Sequence, residues 1–155
     1  MKFSAREDIE APVDEGFAAL SEFETFERQA MRRGADVQRL DDNRTPAVGA
    51  SWRVAFMMRG RRRDLNLQLV RYVAPNDMGF AAKSPGMDAT FDIELMALSR
   101  TRTRMAVALE LKPLNLASRL LVQSLKLAKS NLSKRFKLRV ADYGKLLEDR
   151  LKRSA

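Results

Sequence analysis

From Lys2 to Ile9 apolar and polar positions alternate, with Phe3, Ala5 and Ile9 on one side, the period of a half-buried strand. The period then lengthens. Pro12 opens a predicted short helix, with Asp14 and Glu15 in its first turn, where the helix dipole favours acids, and Phe17 and Leu20 facing inward. Ser21 and Glu24 fit a capping box for a second short helix that carries Phe23 and Phe26 and ends near Arg33-Gly34. After Gly34 the period returns to two. Turn signals recur at Asn43 to Pro46 with Gly49, at Gly60, Pro75-Asn76-Asp77, Ser84-Pro85-Gly86 and Ser99-Arg100-Thr101. They bound predicted strands at 35–41, 50–59, 62–73, 77–83, 88–98 and 103–112, an antiparallel meander.

The alternation separates two faces. Trp52, Val54, Phe56 and Met58 share one, as do Phe91, Ile93 and Leu95, and Met105, Val107, Leu109 and Leu111; Arg53, Arg59, Asp92, Glu94, Arg104 and Glu110 fall on the other. In strand 62–73 the phase slips after Leu65, Leu67 and Leu69 to Val70 and Tyr72, which fits a bulge in a curved sheet.

From Pro113 to about Arg153 the spacing predicts one long helix, with Pro113 in its first turn and Gly144 marking a bend near its end. Leu114, Leu121, Leu125, Ala128, Leu132, Phe136, Tyr143 and Leu147 form its main stripe. Arg139 enters that stripe, either snorkelling to water or aiming a cation into a pocket. Leu116, Leu120, Leu127 and Leu138 form a second stripe beside Lys126, Lys134 and Lys137; it is either covered by neighbouring loops or left as a contact surface.

The 155 residues suit one domain, with no linker or repeat. Neither a membrane-spanning apolar run nor a signal-peptide core stands in the sequence, which predicts a cytoplasmic protein. Absence of Cys and His excludes disulfides, thiol nucleophiles, Ser-His-Asp triads and His- or Cys-ligated metals. No metal or cofactor is expected. The net charge of +9 is uneven: residues 113–155 hold eleven basic side chains against three acids, whereas residues 1–112 hold 18 against 17. The order strand, two short helices, six strands, long helix, with "DIEAPVDEGFAAL" at the start and "VGASWRVAFMMRGRRRDLNLQLVRYVAPNDMGF" at the centre, resembles the helix-grip fold of the START-like superfamily. That superfamily includes START lipid-transfer domains, the major birch pollen allergen and polyketide cyclase/dehydrase-like proteins.

The resemblance implies an α+β fold, with a curved antiparallel sheet of about seven strands gripping the C-terminal helix over a cavity for lipids, sterols, isoprenoids or polyketides. It supplies no catalytic motif. Read onto that fold, the apolar face predicts a ligand site from Trp52, Phe56, Met58, Leu67, Leu69, Phe80, Phe91, Ile93 and Val107 on the sheet, and Leu121, Leu125, Leu132, Phe136 and Arg139 on the helix. Methionines such as Met58 and Met105 would let the cavity adapt.

Two other readings stand beside this one. A cyclase or dehydratase would draw on Arg139, Tyr143, Tyr72 and Asp64. An interaction protein would present the basic helix to an anionic membrane or an acidic partner, with Arg61, Arg62 and Arg63 as a second basic spot. Nucleic acid fits poorly, because the aromatics lie on the sheet rather than among the charges.

Overall fold

The structure is a computed structural model and describes residues 1–154. Its elements are β1 (Lys2–Ile9), α1 (Val13–Leu20), α2 (Phe23–Arg32), β2 (Asp36–Arg39), β3 (Ser51–Met58), β4 (Arg61–Val73), β5 (Asp77–Ser84), β6 (Met87–Ala97), β7 (Thr103–Pro113), α3 (Leu116–Leu127) and α4 (Lys129–Ser154). The strands form one seven-stranded antiparallel sheet in the order β1-β7-β6-β5-β4-β3-β2. Alternation sets the register, since a one-residue slip would turn every apolar side chain to water. Cross-strand partners therefore line up in apolar rows: Trp52, Leu67, Ala82, Ala89, Leu111 in one, and Leu69, Phe80, Phe91, Leu109, Phe3 in the next. The register shifts between Leu69 and Arg71, a bulge at the phase slip that leaves Val70 exposed and turns Arg71 outward to Asp77 and Asp92.

The C-terminal segment departs from the expected single helix. Pro113 closes β7 opposite Met87, and α3 starts three residues later, capped by the Asn115 side chain, which accepts from the Ser118 N–H at 2.9 Å. The helix then breaks at Ala128 (φ −104°, ψ 14°), between α3 and α4. α3 lies across one rim of the sheet. Leu114 N–H donates to Gly86 O in the β5–β6 turn at 2.8 Å, and Arg59 Nη1 in the β3–β4 turn donates to Ser124 Oγ at 3.0 Å. Among the described residues, no helix is long and apolar enough to cross a membrane.

α4 leaves that rim and runs along β1 to the opposite end, where α1 and α2 close the sheet. Val140, Gly144 and Leu147 are buried beneath it. α4 continues unbroken through Gly144. A Cβ there would stand 3.4 Å from Ile9 Cγ2 and 3.6 Å from Glu7 Cβ, ordinary van der Waals contact, so α4 packs against β1 with room left for a methyl group. Polar contacts tie this end down: Glu148 accepts from the Glu10 N–H, Lys152 pairs with Glu10 at 2.9 Å and Arg150 pairs with Glu22. The expected capping box at Ser21 does not form. Ser21 Oγ donates to Phe17 O at 2.8 Å and accepts from the Tyr72 hydroxyl at 2.7 Å, so it joins α1 to β4 instead.

Candidate ligand-binding site

Between α4, α2 and the concave face lies a cavity of about 710 Å³, within the range that small-molecule sites occupy. Its floor includes Ala82 and Ala89, directly paired across β5 and β6, with Leu67 and Leu111 beside them in the same row. Two methyl groups where the flanking strands carry leucines leave the space unfilled. Phe80, Phe91, Ile93 and Val107 line the cavity further along the sheet, Phe136, Val140 and Tyr143 line it from α4, and Phe23, Phe26 and Ala30 line it from α2. Aromatic contacts brace the wall: Phe23 meets Trp52 edge-on at 5.4 Å, Phe26 stacks tilted on Tyr143 at 5.7 Å, and Phe3 supports Phe136 at 6.0 Å.

Of the fourteen positions anticipated for the ligand site, the structure brings Trp52, Leu67, Phe80, Phe91, Ile93, Val107, Phe136 and Arg139 to the cavity wall. Six lie elsewhere. Leu69 is fully buried in the packed core. Phe56 and Met58 sit opposite Arg63 and Arg61, past the end of β5 and off the cavity wall. Leu121, Leu125 and Leu132 are half-buried outside the cavity, because the break at Ala128 turns α3 onto the rim instead of extending α4 over the sheet. The α2 residues of the cavity wall escaped the sequence reading: Phe23 and Phe26 were visible on a helix, but nothing local says that this helix covers the sheet. Val54, Leu65, Met105, Leu109 and Leu111 were legible from the same alternation that marked their neighbours.

Few polar groups reach this wall. Arg139 is solvent-exposed yet lines the cavity, so it stands at the mouth. Tyr143, one turn further along α4, has its pKa pushed up to about 12, chiefly by burial, so its hydroxyl keeps its proton at physiological pH. Glu27 is the carboxylate on this wall and is held by Arg39 at 3.4 Å. Arg39 lies 4.8 Å over the Trp52 ring and also pairs with Asp41. The arrangement offers the Arg139 guanidinium at the mouth, a buried tyrosine hydroxyl on the wall and a carboxylate already engaged. The two other residues considered for proton transfer lie away from it: Tyr72 is bonded to Ser21, and Asp64 faces outward beside Arg62.

The exposed second stripe is uncovered. Leu116, Leu120, Leu127 and Leu138 all stand in solvent, as do Lys126, Lys134 and Lys137.

No protein-family profile matches the chain, and no curated protein sequence does. Solved structures do. TTHA0849 from Thermus thermophilus superimposes with a TM-score of 0.68 at 12% identity, covering 100% of this chain and 99% of its own. The Zhui aromatase/cyclase from Streptomyces sp. R1128 gives 0.66 at 12% identity, with 100% and 96% covered. Truncated norcoclaurine synthase from Thalictrum flavum gives 0.63 at 10% identity, with 81% and 82% covered. At such identities the likeness is one of fold. The chain has an α+β helix-grip fold, as the resemblance implied.

Proposed function

We propose that the chain binds an apolar small molecule (a lipid, isoprenoid or polyketide-like compound) in the cavity between the sheet and α4. The observation that carries this is a cavity of about 710 Å³ walled almost wholly by apolar side chains, with an alanine pair on its floor. Water gains little in such a space, and an apolar guest gains the burial of its surface. Arg139 at the mouth would meet a carbonyl or anionic end of that guest, with Tyr143 one helical turn further along α4 on the same wall. Similar structures with small-molecule enzymes in their names, an aromatase/cyclase and a norcoclaurine synthase, support the reading through fold alone.

The test is native mass spectrometry of freshly purified protein with organic extraction, alongside titration with N-phenyl-1-naphthylamine, an apolar fluorophore. A bound apolar mass or saturable dye binding is expected, and Ala82→Leu with Ala89→Leu should abolish both by filling the floor. Absence of both from the folded wild type would overturn the proposal. The uncovered leucines of α3 favour a second reading, contact with a partner surface.

A further inference from the structure

We infer that α3, with the tip of the β3–β4 hairpin, is a docking surface for an anionic lipid bilayer. The inference rests on the reading of α3 as a contact surface and is independent of what the cavity holds.

At 100° per residue, Leu116, Leu120 and Leu127 fall within about 40° of one another. The opposite side of α3 carries buried Val122 and half-buried Leu121 and Leu125. The helix is therefore apolar on two faces, and packing on the rim consumes one of them. The other stands in water, with Leu116 71% and Leu127 92% exposed. Exposing large aliphatic side chains in a row is unfavourable unless something covers them.

Charge identifies the cover. Arg119 and Lys126, both exposed, border the leucine stripe on one side, about 80–100° round the helix from its centre, and residues 113–141 hold seven basic side chains and no acid. The fold adds what the linear sequence does not show. The bond from Arg59 to Ser124 brings the hairpin tip, with exposed Arg59 and Arg61, against the last turn of α3 just before Leu127. A leucine ridge bordered by cations from two separate segments fits an interface where acyl chains lie beneath anionic headgroups. A second copy of the same face would set cation against cation. Nucleic acid would leave the leucines unsatisfied, and the aromatic rings it would stack on are packed in the core.

The test uses the full chain and sedimentation with vesicles of phosphatidylcholine, with and without phosphatidylserine, across a salt series. Salt-sensitive binding that requires phosphatidylserine is expected. Leu116→Ser, Leu120→Ser and Leu127→Ser together should weaken it by tenfold or more, since each leucine loses its burial. Arg119→Gln and Lys126→Gln should each cost roughly fivefold. None of these residues lines the cavity, so dye binding should be unchanged, and circular dichroism checks the folding of each variant. Binding that ignores phosphatidylserine and salt, or no vesicle binding, overturns the inference. If vesicles are ignored but sedimentation equilibrium shows a dimer that the triple serine variant loses, the contact-surface reading survives with a second copy as its occupant. If neither appears, both fall.

Discussion

Replacing Gly144 by alanine should stabilise the protein, and replacing it by leucine should do the reverse. Gly144 is buried in the middle of α4, where the helix comes nearest to β1. Glycine in a helix interior costs roughly 0.8–1 kcal/mol relative to alanine, because it gives up more backbone freedom on folding. The sign of the substitution then depends on room. A Cβ at 144 would meet Ile9 Cγ2 at 3.4 Å, Glu7 Cβ at 3.6 Å and Met105 Cε at 3.9 Å. All three are ordinary van der Waals separations, so the methyl group enters without displacing β1. The expected gain is about 1 kcal/mol, a rise of roughly 2–4 °C in Tm for a chain of this size.

A leucine has further carbons to place where Ile9 and Met105 already stand. It must lift α4 from β1, at a cost of about 1–3 kcal/mol, and Val140 and Phe136, which line the cavity on the same helix, would move with it. Thermal and urea unfolding followed by circular dichroism measures both variants. A Gly144→Ala protein less stable than wild type by about 1 kcal/mol would refute the reasoning, since it would mean that α4 lies closer to β1 than these distances allow.

Three further outcomes follow from other contacts. Arg39 holds the Asp41 carboxyl well below its ordinary value of 3.8, helped by N–H donors from Ser51 and Asn43. The folded state thus keeps Asp41 charged to lower pH than the unfolded chain does; the resulting stability is complete above 3.8 and is lost as pH falls below it. Urea melts should therefore show Asp41→Asn destabilised at neutral pH, with the gap to wild type closing in strong acid; a gap that does not depend on pH would refute the pairing. At Gly79 an added Cβ would lie 2.7 Å from Arg71 Nη1, so Gly79→Ala should displace the guanidinium from Asp77 and Asp92. Those groups are partly exposed, so the loss should be about 1 kcal/mol, and a double-mutant cycle should show Gly79→Ala near neutral once Arg71 is alanine. Asn115→Ala removes the α3 cap and should cost about 1 kcal/mol, read as faster amide exchange confined to the first turn of α3.

The sheet was legible because its signal is local and redundant. Each strand repeats its alternation several times, and the turns are punctuated by Gly, Pro and Asn, so even the bulge after Leu69 showed as a phase slip. The break at Ala128 was not legible. Neither Gly nor Pro stands there, and Leu121, Leu125, Leu132 and Phe136 keep helical spacing through it. The bend comes from tertiary contacts that a periodicity cannot contain: Leu114 on Gly86 and Ser124 on Arg59 hold α3 across the rim. The same cause divided the predicted ligand site. Most of the anticipated positions in the central rows reached the cavity wall, Leu69 excepted, whereas the α3 leucines did not. At the turn where Arg139 enters the apolar stripe, Val140 is the buried residue and Arg139 is exposed.

The two ends of the molecule are built for different purposes. Where α4 meets β1, Gly144 and Leu147 are buried, and the acids Glu10, Glu22 and Glu148 accept bonds that clamp the helix. Towards the α3 rim the acids of the helical segment disappear, and the sheet beneath carries alanines where leucines would fill. A helix pinned along its whole length would be more stable, and so would a floor of larger side chains. Buried apolar volume left empty forfeits contacts on every side. The chain gives up that stability at the alanine floor and along the exposed α3 leucines, while the contact between α4 and β1 holds the helix. This division lets the cavity and the rim change by substitution without loosening the contact between α4 and β1, and it makes the two proposed activities separable by mutation.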